Sequence, residues 1–399
     1  MSQLYSLEDL DVAHKVVLCR VDLNVPMQGG RIEDTTRIEE LVPTLAWLIQ
    51  HKAKVVVISH FGRPNGGFDR ALSLAPLANA LGTALGGKEV KFAIDCIGEG
   101  VKATVDALQD GEVLLLENLR FHPGEEANDP QFVASLASLA DCYVNDTFSC
   151  SHRKHASLYG VAKLLPSAAG KLLQKEIYHI EKVLTTPPKP MTVITGGAKV
   201  STKLGVLHNL MDKADYMVIG GAMANTFLKA QGYGIGQSLH EEELVKEAGV
   251  ILEKAKKSGC QLIIPEQVVV ARHLGEKVAT RVVHVSDIPK DSMVLDIGPD
   301  TVQRIMQVLA ASKTVVWNGP LGAFEYRPFD VGTLSVARTI AALTDQKKLI
   351  SLAGGGDVVA AIGTAGLTAS FTYISTAGGA FLEWLEGKAL PGVEVLKKH

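Results

Sequence analysis

The sequence predicts an α/β fold of two doubly wound, Rossmann-like parallel-sheet domains, joined by a long helix with a cleft between them. Three observations predict it. Short β-branched runs recur with helical stretches between them, the pattern of parallel strands linked by right-handed crossovers. Those runs are almost continuously apolar, as strands covered on both faces are. A single helical stretch ending in a cluster of prolines divides the runs into two series.

The first series reads K-V-V-L-C-R-V (15–21), K-V-V-V-I-S (54–59), E-V-K-F-A-I (89–94), E-V-L-L-L-E (112–117) and C-Y-V-N (142–145). Helical patterns such as T-R-I-E-E-L-V-P-T-L-A-W-L-I-Q-H (36–51) lie between them. The dividing helix is K-L-L-Q-K-E-I-Y-H-I-E-K-V-L (171–184), followed by T-T-P-P-K-P (185–190). Then come M-T-V-I-T (191–195), D-Y-M-V-I (215–219), Q-L-I-I (261–264), K-T-V-V-W (313–317) and K-L-I-S-L (348–352). The expected domains are 1–170 and 191–380, with 171–190 as helix and hinge. The tail, 381–399, is expected to return to the first domain.

Composition sets limits. At roughly 150 residues per domain, 399 residues suggest two or three domains. Hydrophobic residues make up 47% and charged residues 21%, an ordinary globular balance. The net charge of -3 offers no basic field for nucleic acid or an anionic membrane. Every apolar stretch is broken by charge, Gly or Pro before reaching the length of a membrane span. The start, M-S-Q-L-Y-S-L-E-D-L-D, has neither the basic nor the apolar segment of a signal peptide. The five cysteines form no C-x-x-C pair. A cytoplasmic protein with reduced thiols is expected.

Open parallel sheets bind ligands at the carboxyl ends of their strands. In the first series those ends carry Asp22 and Asn24, His60 and Arg63, Asn118 and Arg120, then Asp146, His152 and Arg153; Arg37 opens the first helix. Four arginines at equivalent positions suit one anionic ligand, because guanidinium binds phosphate and carboxylate through paired hydrogen bonds. In the second series the ends carry Gly196-Gly197, Gly220-Gly221, Pro265, Asn318-Gly319-Pro320 and Gly354-Gly355-Gly356-Asp357. There the backbone itself must approach a ligand. Gly354–Gly356 before D-V-V-A-A-I makes an anion site at a helix start. Asp357 reads either as the helix cap or as a magnesium ligand. Lys199 and Lys203, four apart, share a helix face if the helix has begun by then. A multi-anion site and a nucleotide-like site together suit phosphoryl transfer, which asks for positioning, Mg²⁺ and positive charge.

Other chemistries compete. Gly98-x-Gly100-x-x-Ala103 follows a strand, and Glu117 stands about 20 residues on, close to the dinucleotide fingerprint of an NAD-linked oxidoreductase. Cys142, Cys150, His152 and His155 match no zinc spacing. No P-loop, protein-kinase, G-x-S-x-G or H-E-x-x-H signature is present.

Eight blocks, R-V-D-L-N-V-P (20–26), T-R-I (36–38), S-H-F-G-R-P (59–64), L-L-L-E-N-L-R-F-H (114–122), N-D-T-F-S-C-S-H-R (145–153), G-G-A-K-V-S-T-K (196–203), W-N-G-P-L-G-A-F-E (317–325) and A-G-G-G-D (353–357), together resemble the phosphoglycerate kinase family. They stand in the family's order over essentially the whole chain. The resemblance implies a monomeric, two-domain hinge enzyme of glycolysis. It would transfer phosphoryl between 1,3-bisphosphoglycerate and ADP, giving 3-phosphoglycerate and MgATP. By motif match, Asp22, Asn24, Arg37, His60, Arg63, Arg120 and Arg153 would hold the glycerate substrate, the last three arginines by its non-reacting phosphate. Gly197, Lys203, Asn318, Glu325, Gly354, Gly355, Gly356, Asp357 and Val358 would hold the nucleotide, with Glu325 on the ribose and Asp357 on Mg²⁺. Arg37, Lys199 and Lys203 would be catalytic.

Some positions depart from the family pattern. Val358 stands where Thr is usual, which loses a hydroxyl beside the phosphates. The G-T-A-H-R pattern reads Ser149-Cys150-Ser151-His152-Arg153, so its Gly is replaced. Ala377 replaces a Gly. A family member that binds without turnover is a third reading, beside the kinase and the oxidoreductase.

Overall fold

In the computed structural model the described residues are 3–398, apart from Gly30 and Asn65. They form two compact units, Met1–Tyr178 with Ala389–His399, and His179–Lys388.

The first unit is built on β1 (Val16–Arg20), β2 (Lys54–Ile58), β3 (Val90–Phe92), β4 (Val113–Leu115), β5 (Cys142–Asn145) and β6 (Ser167–Ala169). All pair in parallel, in the order β3-β4-β2-β1-β5-β6. Successive strand side chains point to opposite faces. Val55, Val56, Val57 and Ile58 are each fully buried, so β2 is covered on both faces, as its unbroken apolar run requires. The helix Thr36–Gln50 follows β1 and buries Ile38, Leu41, Leu45 and Leu48 along one stripe. Each such buried side chain contributes about 1.5–3 kcal/mol. From β1 the chain turns to β2 on one side and later to β5 on the other. The carboxyl ends of β1 and β5 therefore flank the switch point, where doubly wound sheets open a crevice.

The second unit contains β7 (Met191–Thr195), β8 (Tyr216–Ile219), β9 (Gln261–Ile263), β10 (Gln267–Ala271), β11 (Arg281–His284), β12 (Met293–Ile297), β13 (Thr314–Asn318), β14 (Ile350–Gly354) and β15 (Tyr373–Ser375). Six of these form a parallel sheet in the order β9-β8-β7-β13-β14-β15. Its switch point lies between β7 and β13. Strands β11-β10-β12 form a separate antiparallel sheet, absent from the sequence reading. Antiparallel neighbours need no helical crossover, so the strand-then-helix rhythm gives no sign of them.

The helix Lys171–Thr185 starts where Asp146 Oδ1 accepts from the amides of Leu172 (2.9 Å) and Leu173 (3.2 Å). It stops before Pro187, which cannot prolong it. Within the first unit the C-terminal segment pairs with the N-terminus: Tyr5 N donates to Leu396 O at 2.9 Å and Lys398 N to Gln3 O at 2.8 Å. The Asn145 amide also donates to Gly392 O at 3.0 Å. All five cysteines are free and buried. No described helix is long and apolar enough to cross a membrane.

Candidate active site

The carboxyl ends of the first sheet gather a network of side chains. Asp22 Oδ2 accepts from Arg37 (2.9 Å) and from the Ser149 hydroxyl (2.6 Å), while Oδ1 accepts from the Asn24 amide (3.0 Å). Burial pushes the Asp22 carboxyl up, but the neighbouring His60 and Arg37 and these hydrogen bonds outweigh it and hold it below the usual carboxylate range. Arg37 also donates to Asn24 O at 3.1 Å. Gly62 ties the next loops in: its amide donates to Asn24 Oδ1 (2.9 Å), and its carbonyl accepts from Arg120 (2.8 Å). Arg120 is 6% exposed and lies 3.0 Å from Glu126.

His60 lies at the centre of the cations. Burial, with Arg20, Arg120 and Arg153 close enough to repel a second positive charge, holds it well below its ordinary value although Asp22 opposes. A guanidinium can only donate, so the 3.1 Å contact from Arg20 to His60 Nδ1 makes Nδ1 the acceptor. The proton of the neutral ring is then on Nε2. Arg20 is itself 1% exposed and donates to Ser157 Oγ (3.0 Å) and to Val21 O. Arg153 donates to His152 at 3.2 Å. Arg63 is exposed and forms no hydrogen bond or ion pair among the described residues.

Of the residues taken from the sequence, Asp22, Asn24, Arg37, His60 and Arg120 are thus linked by contact or field, and Arg153 by field. Arg63 is in the same loop as Gly62 but outside the network. Asp146, noted at a strand end, caps the helix Lys171–Thr185 instead. Arg20 was missed, although an arginine inside the apolar run of β1 is the signal for it. Ser149, where the pattern has Gly, adds a hydrogen bond to Asp22.

In the second unit the loops after β7, β8 and β13 are bonded to one another through their backbones. Gly196 N donates to Asn318 O (3.0 Å), Gly197 N to Pro320 O (3.0 Å), Gly221 N to Leu321 O (2.9 Å) and Met223 N to Gly197 O (3.0 Å). A Cβ on Gly196 would lie 2.0 Å from Pro320 O, so no other residue fits there. Asn318 joins the fourth loop by donating to Gly354 O at 2.7 Å, and its Oδ1 accepts from Lys203 Nζ. Burial pulls the Lys203 ammonium down from its ordinary value, while Asp357 and Glu386 oppose this.

Gly355 precedes the helix Gly356–Thr364 at φ +101°, a conformation that favours glycine. The amides of Gly356, Asp357 and Val358 therefore lie in the first turn, where N–H groups have no intrahelical acceptor. Beside these loops is a cavity of about 460 Å³, walled by Leu228, Leu239, Met293 and Leu321, with Glu325 and Asp357 at its lining. Its floor includes Asp296, 2% exposed, whose carboxylate accepts from the amides of Ile297 and Gly332 at 2.8 Å each. Burial pushes Asp296 up to about 7 against those hydrogen bonds.

Several expectations need correction. Lys199 and Lys203 do not share a helix face: the helix begins at Leu204, because Glu241 takes the Ser201 amide (3.0 Å) and hydroxyl (2.5 Å) and holds 201–203 in a turn. Asp357 is not the helix cap but stands inside the first turn. Val358 is fully buried in the apolar core with Trp317, Leu321 and Ile362, so its side chain belongs to the core. Glu117 cannot serve a dinucleotide ribose: it is 4% exposed, and its carboxylate accepts from Ser73 Oγ (2.6 Å) and the amides of Leu74 and Asn118 (2.8 Å each). The strand before Gly98 is moreover the edge strand β3, away from the switch point.

Comparison with known proteins agrees over the full length. The family profile described as Phosphoglycerate kinase matches residues 7–388. A phosphoglycerate kinase of Rhodospirillum centenum is 54% identical over 391 residues, covering 98% of each chain. One of Xanthobacter autotrophicus is 51% identical over 398 residues, covering 100% of each. The solved phosphoglycerate kinase of Coxiella burnetii superposes with a TM-score of 0.91 at 39% identity, covering 99% of each chain. That of Pyrococcus horikoshii OT3 gives 0.79 at 31% identity over 98% of each.

Proposed function

The chain belongs to the phosphoglycerate kinase family, and on that premise we propose how its residues divide the work. The reaction is reversible phosphoryl transfer between 1,3-bisphosphoglycerate and ADP, giving 3-phosphoglycerate and ATP, in glycolysis. The observation that carries the division is the contrast between the two switch points, one ringed by guanidinium groups and one lined by backbone amides.

Arg63, Arg120 and Arg153 hold the non-reacting phosphate of the glycerate. Asp22 and Asn24 fix the substrate's polar groups and keep Arg37 extended towards the reacting carboxyl. Neutral His60 offers its Nε2 proton to the same ligand without adding a charge. In the second unit the apolar cavity takes the base, Glu325 meets the ribose, the bare backbone of Gly197 and Gly355 lies against the nucleotide, and the first-turn amides of Gly356, Asp357 and Val358 meet the phosphates. Lys199, exposed on the same loop, reaches the phosphates from the open side. Asn318 holds Lys203 on the path of the moving phosphoryl group, where Lys203 and Arg37 stabilise its charge.

Asp357 fits a Mg²⁺ ligand, being an exposed carboxylate beside amides that bind phosphate, and Mg²⁺ takes few protein carboxylates when phosphates supply the rest. Bound there, Mg²⁺ neutralises phosphate charge. Transfer is direct and in line, with no phosphoenzyme. It requires the donor and acceptor to meet, so closure about 171–190 brings them together and excludes water. The protein works as a monomer in the cytoplasm.

A coupled assay with 3-phosphoglycerate, MgATP and a reporter of 1,3-bisphosphoglycerate tests this reading. Turnover that stops with EDTA is expected. Binding of both ligands without turnover would instead select the non-catalytic family member.

A further inference from the structure

Away from both half-sites, three unlike donors converge beside the edge strand of the first sheet. Asp95 and Cys96 follow β3, and His122 follows the short turn Leu119–Phe121. A carboxylate oxygen, the Cys96 sulfur and a ring nitrogen of His122 all lie within 4.8 Å of one another. His122 Nε2 already meets Asp95 Oδ1 at 2.6 Å. The His122 ring is stacked on Phe132, with centroids 5.3 Å apart, which fixes its plane. Cys96 is fully buried, whereas the Asp95 and His122 side chains are 49% and 30% exposed. An ion therefore has an entry path, and water can complete the coordination. Burial, and then the carboxylates of Asp95, Glu125 and Glu117, push the Cys96 thiol well above its ordinary value, so the thiol is protonated until a cation offsets that negative field.

We propose that Asp95, Cys96 and His122 form a binding site for a thiophilic divalent cation of the zinc type, separate from the Mg²⁺ of the phosphoryl-transfer reaction. A thiolate and an imidazole select zinc-like ions, whereas Mg²⁺ takes oxygen ligands and keeps its water. Three protein ligands leave a fourth, open position. Binding breaks the Cys96 S–H bond, forms a sulfur–metal bond and releases one proton to solvent. The bound ion would tether the segment that carries Arg120, two residues before His122.

Cobalt(II) reports on such a site, because thiolate ligation gives a strong near-ultraviolet charge-transfer band. The full-length protein, titrated with Co²⁺ under excess Mg²⁺, is expected to develop this band at about one equivalent. Cys96→Ser should abolish it, and Cys260→Ser should leave it intact. Asp95→Asn, which keeps an oxygen to accept from the Cys96 amide at a half-buried position, should weaken Co²⁺ binding by at least about tenfold, with an unchanged far-ultraviolet spectrum showing that the variant folds. Absence of the band at saturating Co²⁺, its survival in Cys96→Ser, unchanged affinity in Asp95→Asn, or displacement by Mg²⁺ would overturn the assignment.

Discussion

On the proposed reading, the two half-sites reach anion binding by opposite routes. The first relies on long cationic side chains held by partners, as Asp22 holds Arg37 and Gly62 O holds Arg120. The second relies on backbone amides at the start of the helix Gly356–Thr364, beside three loops that glycines let close on one another. Side-chain sites lose function by truncation at little cost to the fold. Backbone sites resist truncation but fail when a Cβ is added. The contrast gives each half a distinct mutational signature.

The largest expected effect is at Lys203, the cation proposed to act on the moving phosphoryl group. Lys203→Ala should lower kcat by about 10²–10³-fold while nucleotide affinity falls far less, since a cation aimed at developing charge acts mainly in the transition state. Stopped-flow turnover beside calorimetric MgADP binding measures both, and near-normal kcat would remove Lys203 from the chemistry.

Arg63→Ala should raise the KM for 3-phosphoglycerate roughly 10- to 100-fold, because a hydrogen bond to a charged group contributes about 1.5–3 kcal/mol. Its Tm should not move, as Arg63 is exposed. An unchanged KM would exclude Arg63 from the phosphate grip.

Gly196→Ala should show the opposite signature. The added Cβ, 2.0 Å from Pro320 O, forces the loops apart and should cost about 1–3 kcal/mol of stability. MgADP binding should weaken and 3-phosphoglycerate binding should not. A variant of full stability and affinity would mean that the loops are not locked together.

Acidity sharpens the comparison further. Asp296 ionises near 4 in the unfolded chain and about 7 in the fold, so between those values the folded state holds the extra proton. Stability should therefore fall as pH rises through that window, by about 2 kcal/mol between pH 5.5 and 7. Asp22 is shifted the other way, so its contribution is present above the unfolded pKa and lost as pH falls through its lowered folded value. Thermal unfolding of wild type and Asp296→Asn across this range tests the first trend. A slope identical in the two proteins would assign it elsewhere.

The smallest effect is expected at Val358. Its side chain is buried in the core, and on the proposed reading only its amide would meet the phosphates, so Val358→Thr should change the KM for MgADP by less than about threefold. A large gain in affinity would show that a hydroxyl there reaches the ligand.

Legibility followed the same divide. Strands β1, β2, β5, β7 and β13 were readable because burial on both faces leaves an unbroken apolar run. Asp22, His60 and Arg120 were readable as polar residues just past such runs. The antiparallel sheet of β10 to β12 was not, since its short strands follow one another without helices. Nor was Asp296, which looks like any polar residue in a strand until Gly322 and Gly332 close over it. The start of the helix at Leu204 depended on Glu241, forty residues away from Ser201, and such long-range partners leave no local mark.

The most direct test titrates 3-phosphoglycerate and MgADP separately into Arg120→Ala and Asp357→Ala by calorimetry. Arg120→Ala should lose the acid and keep the nucleotide within about twofold, with Asp357→Ala showing the reverse. Loss of MgADP binding in Arg120→Ala, with 3-phosphoglycerate still bound normally, would contradict the assignment of one ligand to each sheet.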